Sequence, residues 1–364
     1  MEIVYQDLVF PQVEELSRGW PVVVPIGTGP LPSLLPADRI VFPRLPYGDL
    51  GPLACSAWSN LRRSLIEVLR EDGFFDVIFA PCHQPWQLDP GQGKVALVPI
   101  GHTEQHGFHL PLSTDTVIAD GLAQALSKVA PVVRLPVWPY GVSMHRRQYP
   151  GTLSVDPRAF ESFWVEVVGR LREHGFDKVF FLNGHGGNHS FLVNVTKFCG
   201  DRWPDMFVAT SFLHTSSGEA AELLLAQRDS QLMGHACELE TAYMLELAPE
   251  LVHLDWAVDE VDFVSTPRYG MDWISDGVIV ANPPWSDDTR TGTYGAPATA
   301  TAEKGRVWMK AAVAELAAQI AEVVEQQERR LARRQNGWVE GAWRAQWDKL
   351  PRQRSAPLGE TSTL

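Results

Sequence analysis

From Val95 onward the sequence alternates short apolar runs with longer segments of helical period, and that rhythm restricts the chain to few architectures. VALVPI (95–100) is followed by TVIADGLAQALSKVA (116–130), VVRLPVW (132–138) by a helical stretch from Pro157, and that stretch by KVFFL (178–182). Strands apolar on both faces and separated by helices pair in parallel, because each crossover helix covers a face of the sheet. The stretch from Pro157 is the clearest helix. Phe160, Phe163, Trp164, Val167, Val168 and Leu171 fall on one face, Asp156 is placed to cap, Pro157 suits the first turn and Gly175 the stop. FVATSFL (207–213) reads as a further strand, GHACELETAYMLEL (234–247) as a helix, the stretch from 258 to 300 as a long irregular segment, and 301–327 as a closing helix.

The N-terminal ninety residues repeat this unit in worn form. VVVPIG (22–27) echoes ALVPIG (96–101), PYG (46–48) echoes PYG (139–141), and LREDGFFDVIFAPCH (69–83) aligns without a gap on LREHGFDKVFFLNGH (171–185), setting His83 opposite His185. The first copy is chemically empty, since GTGPLPSLLPAD lacks every Glu and His of GHTEQHGFHLPLSTD. The expected organisation is a degenerate half-repeat over 1–90, a catalytic domain over 91–330 and a polar tail over 331–364.

Composition excludes several function classes. A net charge of -13 opposes nucleic acid, whose phosphates require a basic surface. No apolar run reaches the roughly 18 residues that cross a bilayer, and the N-terminus carries acids where a secretory leader carries bases, so the chain reads as cytoplasmic with no membrane partner. The four cysteines are scattered without paired spacing, which argues against a zinc ribbon or a disulfide framework. A small-molecule substrate remains the expected partner.

The chemistry concentrates in GHTEQHGFHLPLSTD (101–115) and NGHGGN (183–188), each directly after an apolar strand. Loops at the carboxyl ends of parallel strands share one edge of the sheet, so the two motifs can meet. In extended backbone alternate residues point the same way, which turns Glu104 and His106 to one pocket and Gln105 aside. Asp115, at the start of the next helix, can return to that pocket, and His185 adds an imidazole from a glycine-rich turn. Mixed imidazole and carboxylate ligands suit Zn, Mn or Fe, and a carboxylate can bridge two such ions. Two metals need one more acid. On a helix His235 and Glu238 share a face whereas Glu238 and Glu240 do not, so Glu238 is preferred over Glu240; a non-helical backbone would reopen the choice. His102 and His109 stand close to the motif as supporting groups, while Ser143, His145 and Gly186 are placed to meet a substrate. GHGGNHS lacks the spacing and the Lys of a phosphate loop.

Taken together, VPIGHTEQHGFHLPLSTD, PYGVSMHRRQYPGTLS, FFLNGHGGN, GHACELET and TYGAPATATAEKG closely resemble the creatininase family, in order from about Val95 to Val324. The resemblance implies a three-layer α/β fold around a mainly parallel sheet, preceded here by the partial repeat. It also implies two divalent metals and a homo-oligomer, a hexamer in the family, which the extra N-terminal unit would alter. By matching position, Glu104 and His185 look like ligands of one ion, His106 of the other, and Asp115 the bridge. Creatininase itself has a Glu two residues after the NGH histidine; this chain has Gly187, as in an NGHGGN branch where a Glu of the later HAGExET motif supplies the ligand, here Glu238. His102 stands where relatives commonly have Ser, and Cys237 where they have Gly.

The expected function is therefore metal-dependent hydrolysis of a C–N bond, amide or cyclic amide, in a small molecule, with His235 as the proton-transferring residue. The same centre would also suit carbon–carbon hydrolysis of a cyclic ketone, peptide cleavage or amide formation. A metal-stabilised, non-catalytic scaffold is the reading from a different class.

Overall fold

The computed structural model describes residues 1–47, 55–82, 88, 93–213, 218–272, 278–337 and 341–349. His83 and Trp273, and the chain from 350 onward, lie outside the described residues. Residues Met1–Val324 form one compact unit and Glu325–Leu364 a second.

The first unit holds two four-stranded parallel sheets. The N-terminal sheet contains β1 (Glu2–Val4), β2 (Val22–Ile26), β3 (Arg39–Val41) and β4 (Val77–Pro81), in the order β1-β3-β2-β4; α1 (Phe10–Glu14) and α2 (Cys55–Glu71) join them. The second contains β5 (Val95–Ile100), β6 (Val132–Arg134), β7 (Lys178–Asn183) and β8 (Phe207–Phe212), in the order β6-β5-β7-β8. Helices α3 (Thr114–Leu126), α4 (Pro157–Glu173), α5 (His189–Arg202) and α6 (Gly218–Gln227) accompany it. A short antiparallel ribbon of β9 (Met233–His235) and β10 (Tyr294–Gly295) follows, with α7 (Glu238–Leu247). The expected architecture, a mainly parallel sheet between helices with a partial repeat ahead of it, is the one found.

The repeat extends to strand register. Val22 faces Val77 and Ile26 faces Pro81 in the first sheet, as Ala96 faces Val179 and Ile100 faces Asn183 in the second. On the other side Ile26 bridges Leu45 as Ile100 bridges Trp138. Each pair is one that the three sequence matches superpose, so sequence and hydrogen-bond ladder give the same alignment. The matching helices α2 and α4 pack against each other, with Trp58 and Phe163 rings 5.9 Å apart and Ser64 Oγ accepting the Asp156 N–H at 2.6 Å. Both copies of the repeat contribute to one apolar core, including Tyr5, Val24 and Phe74 from the first and Val98, Trp164 and Phe181 from the second.

Helix α4 ends where its sequence requires. Asp156 Oδ1 accepts the Ala159 N–H at 2.9 Å, Pro157 opens the helix, and Gly175 takes a φ of 92° just past its end. All six apolar side chains of the expected face are buried, each contributing about 1.5–3 kcal/mol.

Two expected elements differ. GHACELETAYMLEL is not one helix: His235 closes strand β9, Ala236 turns with φ 47°, extended Cys237 is the N-cap, and α7 starts at Glu238. The closing helix α8 (Ala302–Gln335) runs past 327 through RRLARRQ, and a short α9 (Ala342–Trp347) follows in the second unit. Among the described residues no helix is long and apolar enough to cross a membrane, and Cys82, Cys199 and Cys237 are buried.

Candidate metal centre

The loops leaving β5, β6 and β7 meet at the carboxyl edge of the second sheet. They can approach because Gly101 and Gly187 carry no side chain. A Cβ on Gly101 would lie 2.4 Å from the Thr116 backbone, and one on Gly187 would lie 2.1 Å from Val142 O and 2.5 Å from His185 Nε2. No side chain therefore fits at position 187 on this backbone.

Glu104, His106, Asp115, His185, His235 and Glu240 are all buried in one cluster, with triads Glu104–His106–His235 and His106–Asp115–Glu240 each within ligand-sharing distance. His106 Nε2 lies 3.1 Å from Asp115 Oδ1 and 3.8 Å from Glu240 Oε1. His185 Nδ1 lies 3.0 Å from Glu104 Oε1 and 3.1 Å from Asp115 Oδ2. Asp115 thus stands between the two imidazoles. His235 Nδ1 approaches Glu104 Oε1 at 3.8 Å.

The opposite nitrogen of each ring faces a backbone carbonyl: Nδ1 of His106 faces Glu104 O at 3.1 Å, Nε2 of His185 faces Val142 O at 3.0 Å, and Nε2 of His235 faces Gln105 O at 2.8 Å. A carbonyl oxygen only accepts, so these nitrogens carry the hydrogens, and in each neutral ring the lone pair points at the carboxylates. Lone pairs facing carboxylate oxygens repel unless a proton or a metal cation stands between them. Burial alone would lower the affinity of His106 and His185 for protons, but the carboxylates override it: Glu104 and Asp115 raise His185 to about 9, and Asp115 with Glu240 raises His106 well above the usual histidine range. Glu104, despite burial, is held well below the usual carboxylate range by Arg146 and His185. The donor set, three imidazoles and three carboxylates, all buried and with His102 also within ligand-sharing distance of Glu104 and His185, fits Zn, Mn or Fe.

The helical argument for Glu238 does not hold. His235 is on a strand, the left-handed Ala236 breaks the i, i+3 relation, and the Glu238 carboxylate is turned away, accepting N–H groups of Asp229 and Ser230 and the ammonium of Lys304. Glu240 enters the cluster instead, its Oε2 held by the Ala236 N–H.

The supporting residues separate by environment. His102 is buried against the His185 ring, centroids 4.6 Å apart, and its Nδ1 accepts the Gly141 N–H at 2.8 Å; burial lowers its pKa to about 3. His109 lies behind the cluster, Nε2 at 2.9 Å from Thr241 Oγ1, also lowered to about 3 by burial. Ser143 Oγ donates to Glu104 Oε2 at 2.7 Å. His145 and Gly186 line a cavity of about 680 Å³ that opens beside the centre.

Three residues gain a definite place here. Arg146 is buried and ion-paired to Glu104; in HRRQ it reads as a substrate contact or a solvated turn, and burial distinguishes the two. Trp285, readable as pocket wall or as plain core, packs on His145 at 5.1 Å and His235 at 5.7 Å. Gln105, turned aside as expected, positions His235 through its carbonyl and donates from its amide to Gly292 O at 3.1 Å.

A family model described as creatininase, creatinine amidohydrolase, matches residues 87–320. The chain is 35% identical over 168 residues to the mycofactocin precursor peptide peptidase of Mycolicibacterium smegmatis, covering 43% of this chain and 68% of the relative. It is 30% identical over 171 residues to the 3-dehydro-scyllo-inosose hydrolase of Thermotoga maritima, covering 46% of this chain and 55% of the relative, so it spans about half of that protein. Among solved structures, a creatininase mutant described as Zn-Zn type superposes with a TM-score of 0.54 at 23% identity, over 63% of this chain and 90% of the other. The chain belongs to the creatininase family, a family of hydrolases.

Proposed function

We propose that this member of the creatininase family is a dinuclear metal hydrolase that opens a C–N bond, amide or cyclic amide, in a small molecule. One observation carries the reading: three buried imidazoles, each fixed by a backbone carbonyl, aim their remaining nitrogens at Glu104, Asp115 and Glu240. Glu104 and His185 would hold one divalent ion, His106 and Glu240 the other, and Asp115 would bridge them; Zn and Mn are the first candidates. Bound there, two divalent cations would acidify a water and polarise a carbonyl.

The chain's own groups supply the rest. His235 donates its Nε2–H to Gln105 O, which leaves Nδ1 as the basic atom facing the centre. Burial, then Arg146 and His106, lower its pKa, so it waits neutral, and its geometry makes Nδ1 the atom that would relay a proton to the leaving nitrogen. Trp285 stands beside it and excludes water from one side.

The names of two relatives, an inosose hydrolase and a peptide peptidase, support a second reading in which the same centre cleaves a cyclic ketone or a peptide. Elemental analysis of the purified chain joined to a turnover panel of cyclic amides, a cyclic polyol ketone and short peptides tests both. Two ions per chain with C–N cleavage is the expected result. Two ions with ketone cleavage alone would transfer the assignment to the second reading, and absence of bound metal would remove both.

A further inference from the structure

We propose that Arg146 selects substrates bearing a carboxylate beside the bond that is cleaved; this rests on the dinuclear reading above. Arg146 is 2% exposed, and its guanidinium lies between two surfaces. Nη1 donates to Glu104 Oε1, and the guanidinium carbon sits 4.1 Å from the centre of the Trp285 ring. The Nε–H is buried with no partner, and the bond to Glu104 is the one side-chain hydrogen bond Arg146 makes among the described residues.

A buried guanidinium with one carboxylate oxygen to bind is poorly compensated, because its Nε–H is withdrawn from water and given no acceptor in return. Nor is it needed merely to hold Glu104, whose Oε2 already receives Ser143 Oγ at 2.7 Å. Three carboxylates and one ionised water balance two divalent cations, so Arg146 adds a positive charge that nothing in the centre neutralises. An anionic group on the substrate would do so.

The cavity beside the centre points the same way. Its wall is mainly apolar, with Val142, Phe212, Tyr269 and Trp285, and Arg146 is the one Lys or Arg among the described residues that line it. The one acid on the wall, Asp288, accepts the Val264 N–H. A ligand entering along apolar walls therefore meets one fixed cation directly before the metal ligands. Since that cation touches Glu104, a carboxylate bound to it would lie close to a carbonyl held at the centre. The ligand class that fits is an N-acyl amino acid or a cyclic amide carrying a carboxylate next to the ring nitrogen.

Calorimetric titration of the metal-loaded full chain with two probes tests this: acetohydroxamate, which chelates but has no carboxylate, and malonic monohydroxamate, which has one. The carboxylated probe is expected to bind about tenfold tighter or more, as one charge-assisted pair would give. In Arg146→Met that advantage disappears while acetohydroxamate affinity and metal content hold, and in Arg146→Lys, which keeps the charge without the fork, part of it survives. Equal affinities for the two probes in the native chain would overturn the proposal. So would Arg146→Met weakening both probes alike with loss of metal, which would make Arg146 a positioning residue for Glu104. A chain that holds no metal by elemental analysis would instead refute the dinuclear reading itself.

Discussion

Glu238 and Glu240 stand two residues apart at the start of one helix, and their carboxylates serve different ends. Glu238 accepts the Asp229 and Ser230 N–H groups and pairs with Lys304, whereas Glu240 accepts the Ala236 N–H and lies 3.8 Å from His106 Nε2. Glu240→Gln should therefore lose metal with little change in folding of the metal-free chain. Glu238→Ala should retain metal but lose about 3 kcal/mol of stability, the cost of breaking a buried, hydrogen-bonded ion pair. Metal content by elemental analysis and denaturant midpoints of both variants check the pair, and metal loss confined to Glu238→Ala would reverse the assignment.

Asp115 faces both imidazoles, His106 through Oδ1 and His185 through Oδ2, each at 3.1 Å. Asp115→Ala should reduce the bound ions from two per chain to one or none, measured by elemental analysis after gel filtration. An Asp115→Ala chain that keeps both ions would contradict a bridging carboxylate.

His235 combines a pinned Nε2–H with a lone pair on Nδ1 that faces the centre. His235→Ala is expected to keep its metals and lose about 100-fold to 10,000-fold in turnover, the range for removal of a general acid–base residue. Equal loss of metal and turnover would assign His235 to coordination instead.

The pH dependence has a definite sign. In the metal-free chain His185 is raised to about 9 by Glu104 and Asp115, against the opposing effect of burial. A group whose folded pKa is raised contributes stability that is fully present below its unfolded value and is lost as pH rises through the folded one. Thermal stability of the metal-free protein should thus fall between about pH 6.5 and pH 9, the unfolded histidine value being about 6.5. The metal-loaded protein should not show this fall, because the cation replaces the proton, and apparent metal affinity should rise with pH over the same window as protons are released. Melting curves with and without chelator, from pH 6 to 9.5, check both statements; a metal-free protein equally stable at both ends would count against the charged pair.

Local sequence carried the fold well, and for a physical reason. Apolar strands with no polar face can be satisfied only inside a parallel sheet, and the Asp156–Pro157 start and Gly175 stop of α4 are enforced by hydrogen bonding and allowed dihedrals within a few residues. The same is true of the repeat: LREDGFFDVIFAP and LREHGFDKVFFLN align without a gap because both must place a strand in the same register against β2 or β5. Glu104, His106 and His185 were legible because each follows closely on a strand end whose position the sheet dictates, and Asp115 because it opens the helix that leaves that edge. His235 to Glu240 was not, since a single left-handed residue, Ala236, divides strand from helix, and a periodic count runs straight through it.

What the sequence determined by itself was which side chains could serve as ligands and the edge of the sheet where most of them gather, because both follow from residue type and strand order. What only the tertiary structure decided was which glutamate faces inward, that Arg146 is buried against Glu104, and that Gly187 leaves no room for a further carboxylate. Those outcomes depend on close approach of segments distant along the chain, where a displacement of a few ångströms changes a metal ligand into half of a salt bridge.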